Sequence, residues 1–412
     1  MSKVLVYTSP ARGHLFPVMD IALALRRRGH DVHVRTIASD VDVVSAAGLT
    51  AKPIARAVEE RTIDDWQAKS PIGGIQRAIA AWVDRAHHEI DDLKSAIAEE
   101  GPDLLLVDTN CFGAQAVAET SGLPWATWHP FPMPFPSDDA PPFGPGFAPA
   151  RGPLGRLRDR VLRPLLFAPM QSMVPKLNVV RHKAGARPFA HITDLYLAPP
   201  LVLHLTAEPF EYPRRDWPKN MQRIGPGLWS PPSTTPGWLA KDKPVVLVTC
   251  STEFQNDGAL LHAAVAAFGE DASVQLVCTT AGVDPKTVQA PASVIVERFV
   301  PHAAVLPHVS AIVCHGGMGI TQRALAASVP PCVVPFGRDQ LEVGRRVVHC
   351  GAGSMLPRGK LTAARLRAAV EEARGRREGA ARVSAAYTAA GGAERGASLL
   401  LDLLPSRSRA AA

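Results

Sequence analysis

The chain has no C-x-x-C pair, although it carries six cysteines (Cys111, Cys250, Cys278, Cys314, Cys332 and Cys350), four of them in or beside apolar runs. Thiols scattered in this way argue against a metal or disulfide framework and read as small buried residues in a reducing, cytoplasmic compartment. No stretch approaches the roughly 18 consecutive apolar residues of a membrane-crossing helix, so no stable membrane insertion is expected. The start offers only a short apolar run before Arg12, which reads as a first strand rather than a signal peptide. Aromatic residues are sparse, at 6%, and the net charge of +7 is spread over separate arginine-rich stretches at 26–28, 151–163 and 365–377. Without one aromatic-interleaved basic face, nucleic acid is not the expected partner. A solvated surface and an anionic small substrate are. No heptad or exposed apolar repeat indicates an oligomeric state.

With 412 residues, 46% hydrophobic and 20% charged, the chain is long enough for two domains of about 200 residues, each with its own core. Residues 3–9, 17–28 and 31–36 read as strand, helix and strand, with Pro17 in the first helical turn and Gly29 as the stop. A helix at 75–100, a strand at 104–107, a helix at 114–121 and a strand near 124–128 continue the alternation. Residues 130–153 are too rich in proline for regular structure, and their apolar tips, among them Phe131 and Phe143, suit a loop that closes over an apolar partner. A helical patch at 154–183 and a strand at 201–206 complete a first α/β domain, residues 1–212. The proline-rich segment 213–242 reads as a linker. Residues 243–412 form a second α/β domain, with strands at 244–249, 273–279, 294–297, 311–314 and 332–336, and helices at 259–268, 320–327, 365–379 and 398–404. The fold class is therefore α/β, two Rossmann-like domains facing across a cleft.

The most informative stretch is I-V-C-H-G-G-M-G-I-T-Q-R, residues 312–323, followed by a second apolar run and Asp339-Gln340. It places His315, Gly316, Gly317, Met318 and Gly319 at the carboxyl end of a strand, where glycines allow close backbone approach and the N–H groups of a helix start attract an anion. It is neither G-x-x-x-x-G-K-[ST] nor G-x-G-x-x-G, because the lysine of the first and the third helical glycine of the second are missing. A carboxylate beside an amide, Asp339 and Gln340, forms a fork for sugar hydroxyls. Phosphate and hydroxyl sites together suggest a nucleotide sugar.

This stretch resembles the donor-binding signature of the nucleotide-sugar-dependent glycosyltransferases of the UGT and macrolide or antibiotic type, which reads roughly H-G-G-x-G-T-x-x-E-A-L…G-V-P-x-x-x-x-P…D-Q…N-A. The resemblance covers nearly the whole chain, most weakly at 66–74 and 130–183, and implies the GT-B fold with the C-terminal helix returning to the first domain. It departs at Arg323, where many relatives place a glutamate on the ribose hydroxyls, and at Val343, where they place asparagine. It implies that His315, the backbone of 316–319, Thr321 and Ser251 or Thr252 hold the diphosphate. By the same resemblance Phe299 stacks on the base, Val300 pairs with it through its backbone, and His302 lies near the ribose. The missing ribose glutamate favours a dTDP-sugar over a UDP-sugar. No metal or other cofactor is expected.

The R-G-H-L-F-P context of His14 is similar to the family's G-H-x-x-P segment, whose histidine is the base on the acceptor hydroxyl, and Asp108 matches its orienting aspartate. The implied reaction is displacement at the anomeric carbon with inversion. For the acceptor, Trp66, Trp82, Phe112, Trp128, His129 and Phe131 are the first-domain candidates for an apolar lining suited to an aromatic polyketide, enediyne or macrolide. The competing expectations are a sugar-nucleotide 2-epimerase on the same plan and a non-catalytic nucleotide-binding homologue serving a partner transferase.

Overall fold

A computed structural model describes residues 1–68, 71–240, 242–252 and 255–405. The chain builds two parallel sheets. The first contains β1 (Lys3–Tyr7), β2 (Asp31–Thr36), β3 (Thr50–Pro53), β4 (Leu104–Asp108), β5 (Trp125–His129), β6 (Val202–His204) and β7 (Met221–Arg223), in the order β3-β2-β1-β4-β5-β6-β7. The second contains β8 (Val245–Thr249), β9 (Gln275–Thr279), β10 (Ile295–Glu297), β11 (Val309–Cys314), β12 (Pro331–Val333) and β13 (Ser354–Met355), in the order β10-β9-β8-β11-β12-β13. Central strands such as Leu104–Asp108 and Val245–Thr249 are buried throughout, as strands covered on both faces by helices must be.

Strand order reverses once in each sheet, between β1 and β4 and between β8 and β11. At such a reversal the crossover connections leave on opposite faces, so a crevice opens beyond the carboxyl ends of the two strands. Residues 8–14 and 108–111 therefore meet in the first domain, and residues 250–252 and 255–257 meet 314–319 in the second.

Several elements differ from the sequence-based expectation. The first helix is Arg12–Arg27, so Pro17 lies inside it and His14 sits on its first turn rather than in a preceding loop. Its N-cap is Ala11, which makes no side-chain cap hydrogen bond, so the usual start signal is missing. The edge strand β3 reads T-A-K-P and lacks the apolar run that would have revealed it. β7 falls within the expected linker, yet it pairs with β6 and completes the first sheet. The expected helix at 365–379 is two helices, Ala363–Arg374 and Arg377–Ala389.

The last helix, Gly392–Leu401, does return to the first domain. Arg28 Nη2 donates to Glu394 Oε2 at 2.8 Å, and a Cβ added at Gly396 would come within 2.8 Å of Ile224 Cδ1, so the glycine lets the helix lie close against this side chain. Between the domains, Gln322 Nε2 donates to the Leu205 carbonyl at 2.8 Å, and the fully buried Glu211 receives Arg346 at 2.9 Å. No helix of the described residues is long and apolar enough to cross a membrane.

Candidate active site

His14 projects from the first turn of its helix toward the end of β4, and its Nδ1 lies 2.9 Å from Asp108 Oδ1. Asp108 is fully buried. The Ser9 N–H and hydroxyl donate to Oδ2 at 3.1 and 2.8 Å, and the Asn110 N–H donates to Oδ1 at 2.9 Å. Burial works to raise the Asp108 carboxyl, but the His14 charge and these donors outweigh it and hold the group below the ordinary carboxylate range. An ionised partner on Nδ1 fixes the tautomer that carries a lone pair on Nε2. That nitrogen faces the Asn110 amide at 3.4 Å. The Trp128 indole N–H donates to the His14 carbonyl at 3.2 Å, and this ring is wholly buried, so Trp128 supports the His14 turn and offers no surface to an acceptor.

Beneath this turn runs a buried pair, Arg85 and Glu89. Arg85 Nη2 donates to the Asn110 carbonyl at 3.2 Å, and Glu89 Oε2 accepts the Gly113 N–H at 2.9 Å, which clamps the 109–113 segment. Burial pushes the Glu89 carboxyl up to about 7 against the pull of Arg85.

In the second domain, His315 is buried at the end of β11. Gly316 takes a φ of +95°, which a side chain would resist, and Gly317 begins the Met318–Ala326 helix with its N–H groups toward the crevice. Thr321 is fully buried, and its Oγ1 lies 3.7 Å from Cys314 Sγ. Asp257 Oδ2 accepts the Ser251 N–H at 2.7 Å and lies 4.0 Å from His315 Nδ1; burial pushes the Asp257 carboxyl above its ordinary value. Thr252 is exposed, whereas Ser251 is buried and its hydroxyl accepts from Gln255 Nε2 at 3.0 Å.

The expected sugar fork is split by the structure. Gln340 Oε1 accepts the Phe336 and Gly337 N–H groups at 2.6 and 3.0 Å, and its amide nitrogen donates to Gln255. Its side chain thus shapes the loop, while Asp339 stays half-buried with its carboxyl raised by burial. Phe299 is 59% exposed, so its ring is open to stacking, whereas Val300 is buried. Burial, with Arg323 nearby, lowers His302 to about 4, and its Nε2 has no partner among the described residues. Arg323 donates to the Leu228 carbonyl at 2.7 Å and to that of Trp229, so it braces the connecting segment.

Of the acceptor candidates, Phe131 has its ring centroid 5.6 Å from that of His14 and 4.0 Å from that of His129. Phe131 also packs on the cluster that joins Ala207 and Phe210 of the first domain to Cys314 and Met318 of the second. His129 is fully buried and held neutral by burial, and Phe112 is a core residue edge-on to Trp82 at 6.2 Å. Trp66 is exposed beside Asp65, which Arg338 of the second domain grips at 2.9 Å. The triplet Asp40-Val41-Asp42 lies in the first domain, where Asp40 is spent on Arg12 at 2.7 Å. Sequence reasoning missed Ser9, Asn110, Asp257 and Gln255. Asn110 and Asp257 did carry a signal, one two residues beyond the strand-end aspartate and the other just ahead of a helix.

A family profile described as the erythromycin biosynthesis protein CIII-like C-terminal domain matches residues 259–394. Over 384 residues the chain is 33% identical to 4'-demethylrebeccamycin synthase of Lentzea aerocolonigenes, covering 90% of this chain and 91% of the relative. CalG4, the calicheamicin glycosyltransferase, superposes with a TM-score of 0.76 over 99% of both chains at 21% identity. The spinosyn rhamnosyltransferase SpnG, solved with thymidine diphosphate, superposes with a TM-score of 0.71 over 97% of this chain and all of that one, at 18% identity. The fold is thus GT-B, and the chain belongs to the UGT-type glycosyltransferases that include the antibiotic glycosyltransferases.

Proposed function

We propose that this glycosyltransferase moves a hexose, a deoxysugar by preference, from a dTDP-sugar to a hydroxyl of an apolar natural product such as an aromatic polyketide, enediyne or macrolide, with inversion. The observation that carries this reading is the His14–Asp108 pair at the strand reversal of the first sheet, with Phe131 beside it packed on the cluster that includes Cys314 and Met318 of the second domain. In the step itself, the acceptor oxygen bonds to the anomeric carbon as His14 Nε2 takes its proton. The bond from that carbon to the diphosphate oxygen breaks, and the bonding pair leaves with dTDP. The imidazolium that forms is stabilised by Asp108, and proton transfer of this kind typically contributes roughly 10²- to 10⁴-fold.

The leaving charge falls to His315 and the N–H groups of 317–319, with Ser251 alongside, a preorganised electrostatic role. Phe299 would stack on the base, Val300 would meet its edge through the backbone, and His302 lies on the ribose side. Because Arg323 is engaged with the 228–229 carbonyls, no carboxylate stands at that position for a 2′-hydroxyl, which supports dTDP over UDP. The likeness to SpnG, solved with thymidine diphosphate, supports the dTDP donor.

Calorimetric titration with dTDP and UDP tests the donor, and turnover of dTDP-sugars with an acceptor panel tests the reaction. Tighter binding of UDP would reverse the donor assignment. Absence of turnover with every acceptor would favour a non-catalytic role.

A further inference from the structure

We propose that Glu342 is a positioning residue that fastens the proline-rich loop of the first domain to the donor helix, so that a nucleoside diphosphate at the glycine turn orders the loop closing on the acceptor. This rests on reading the 315–319 turn as the donor site. Glu342 lies in the first turn of the Gln340–His349 helix and is 1% exposed. Its Oε1 accepts the N–H groups of Gly144 and Gly146 at 2.8 and 3.0 Å, and its Oε2 accepts Arg346 Nη1 at 2.9 Å. Arg345 Nε, on the same helix, donates back to the Gly146 carbonyl at 2.7 Å. Gly144 and Gly146 have φ of +120° and +64°, and a Cβ on Gly146 would come within 2.7 Å of the Leu341 carbonyl oxygen. The F-G-P-G-F sequence is therefore suited to a backbone approach that other residues would block.

The other end of this unit is the glycine turn. A Cβ on Gly316 would lie 3.2 Å from the Gln340 carbonyl oxygen and 3.3 Å from Gln340 Cβ, so the turn rests on the first residue of the helix that carries Glu342. Gly316 packs on Gln340, and Glu342, two residues further along the same helix, holds Gly146, so the helix start connects the place where the diphosphate would lie with the loop. A buried carboxylate that loses its donors faces a heavy desolvation penalty, so the loop is expected to travel with the second domain, although it belongs in sequence to the first. Closure of the donor domain then brings the acceptor loop with it.

Amide hydrogen exchange on the full chain with and without dTDP tests this. In the parent, dTDP is expected to slow exchange at 315–322 and, by about 5-fold or more, at 142–148. In Glu342→Gln the protection at 315–322 persists while that at 142–148 is lost. Gly146→Ala, which leaves the donor helix intact, gives the same result from the loop side and stands in if the first variant folds poorly. Loop protection that survives in the variants, or a parent loop indifferent to dTDP beside a protected turn, overturns the proposal. A parent turn that dTDP does not protect overturns the donor reading and the latch with it.

Discussion

Each domain places a histidine at the reversal of its sheet with an aspartate nearby, and the two pairs are built differently. His14 and Asp108 are in hydrogen-bond contact at 2.9 Å, with Ser9 and Asn110 holding the carboxylate ionised. His315 and Asp257 stand 4.0 Å apart, and the Asp257 carboxyl, pushed up by burial, is occupied with the Ser251 N–H. A fixed tautomer beside an ionised carboxylate suits an imidazole that must gain a proton during a reaction. A looser pair beside a glycine turn suits one that only donates to an anion. The same two residue types flank the reversal of each sheet, with the histidine after β1 and the aspartate at the end of β4 in the first and the two exchanged in the second, and they acquire different chemistry from the number of donors around the carboxylate.

The largest effect that sharpens this contrast is expected from His14→Ala, which should lower kcat by roughly 10³-fold while leaving the dTDP dissociation constant unchanged. A variant of undiminished kcat would break the division of labour. Asp108→Asn should cost roughly 10²-fold or more in kcat, because the amide no longer selects the tautomer with a free Nε2. Steady-state rates with a saturating donor check it. Asp257→Asn, by contrast, should leave kcat within a few-fold and weaken dTDP by only about 1 kcal/mol, the scale of one ordinary hydrogen bond. Calorimetry reads that difference, and a larger kcat loss than for Asp108→Asn would invert the comparison.

A further prediction concerns stability. Burial lowers His204, beside the dyad's aromatic neighbours, to about 4. Its folded value lies below its unfolded value, so its contribution is complete above about 6.5 and is lost as pH falls through about 4, a change of about 3 kcal/mol. Thermal melts of the parent should therefore drop across that window, and His204→Phe should flatten the drop.

Much of this arrangement was legible in the residues. The buried parallel strands announced themselves as apolar runs, and the glycine turn as a break at the end of one of them. β3 and β7 were hidden because short edge strands need no apolar run, and the early start of the first helix because Ala11 gives no capping signal. Within the site, motif residues could be named but not their partners. Asp257 and His315 are far apart in sequence, and nothing in the Asp339-Gln340 pair states that the Gln340 amide also closes its own loop. Aromatic residues misled most, since Trp128 and His129 lie on β5, where core and cleft share a single strand. Burial there depends on which strands flank it, and periodicity alone does not state that.

The central claim is a single displacement, with the base on one sheet and the leaving group on the other. Its most direct test is the anomeric configuration of the glycoside formed from an α-linked dTDP-sugar, assigned by NMR from the one-bond carbon–proton coupling at the anomeric centre. The account predicts a β-glycoside. A product that keeps the α configuration would contradict it.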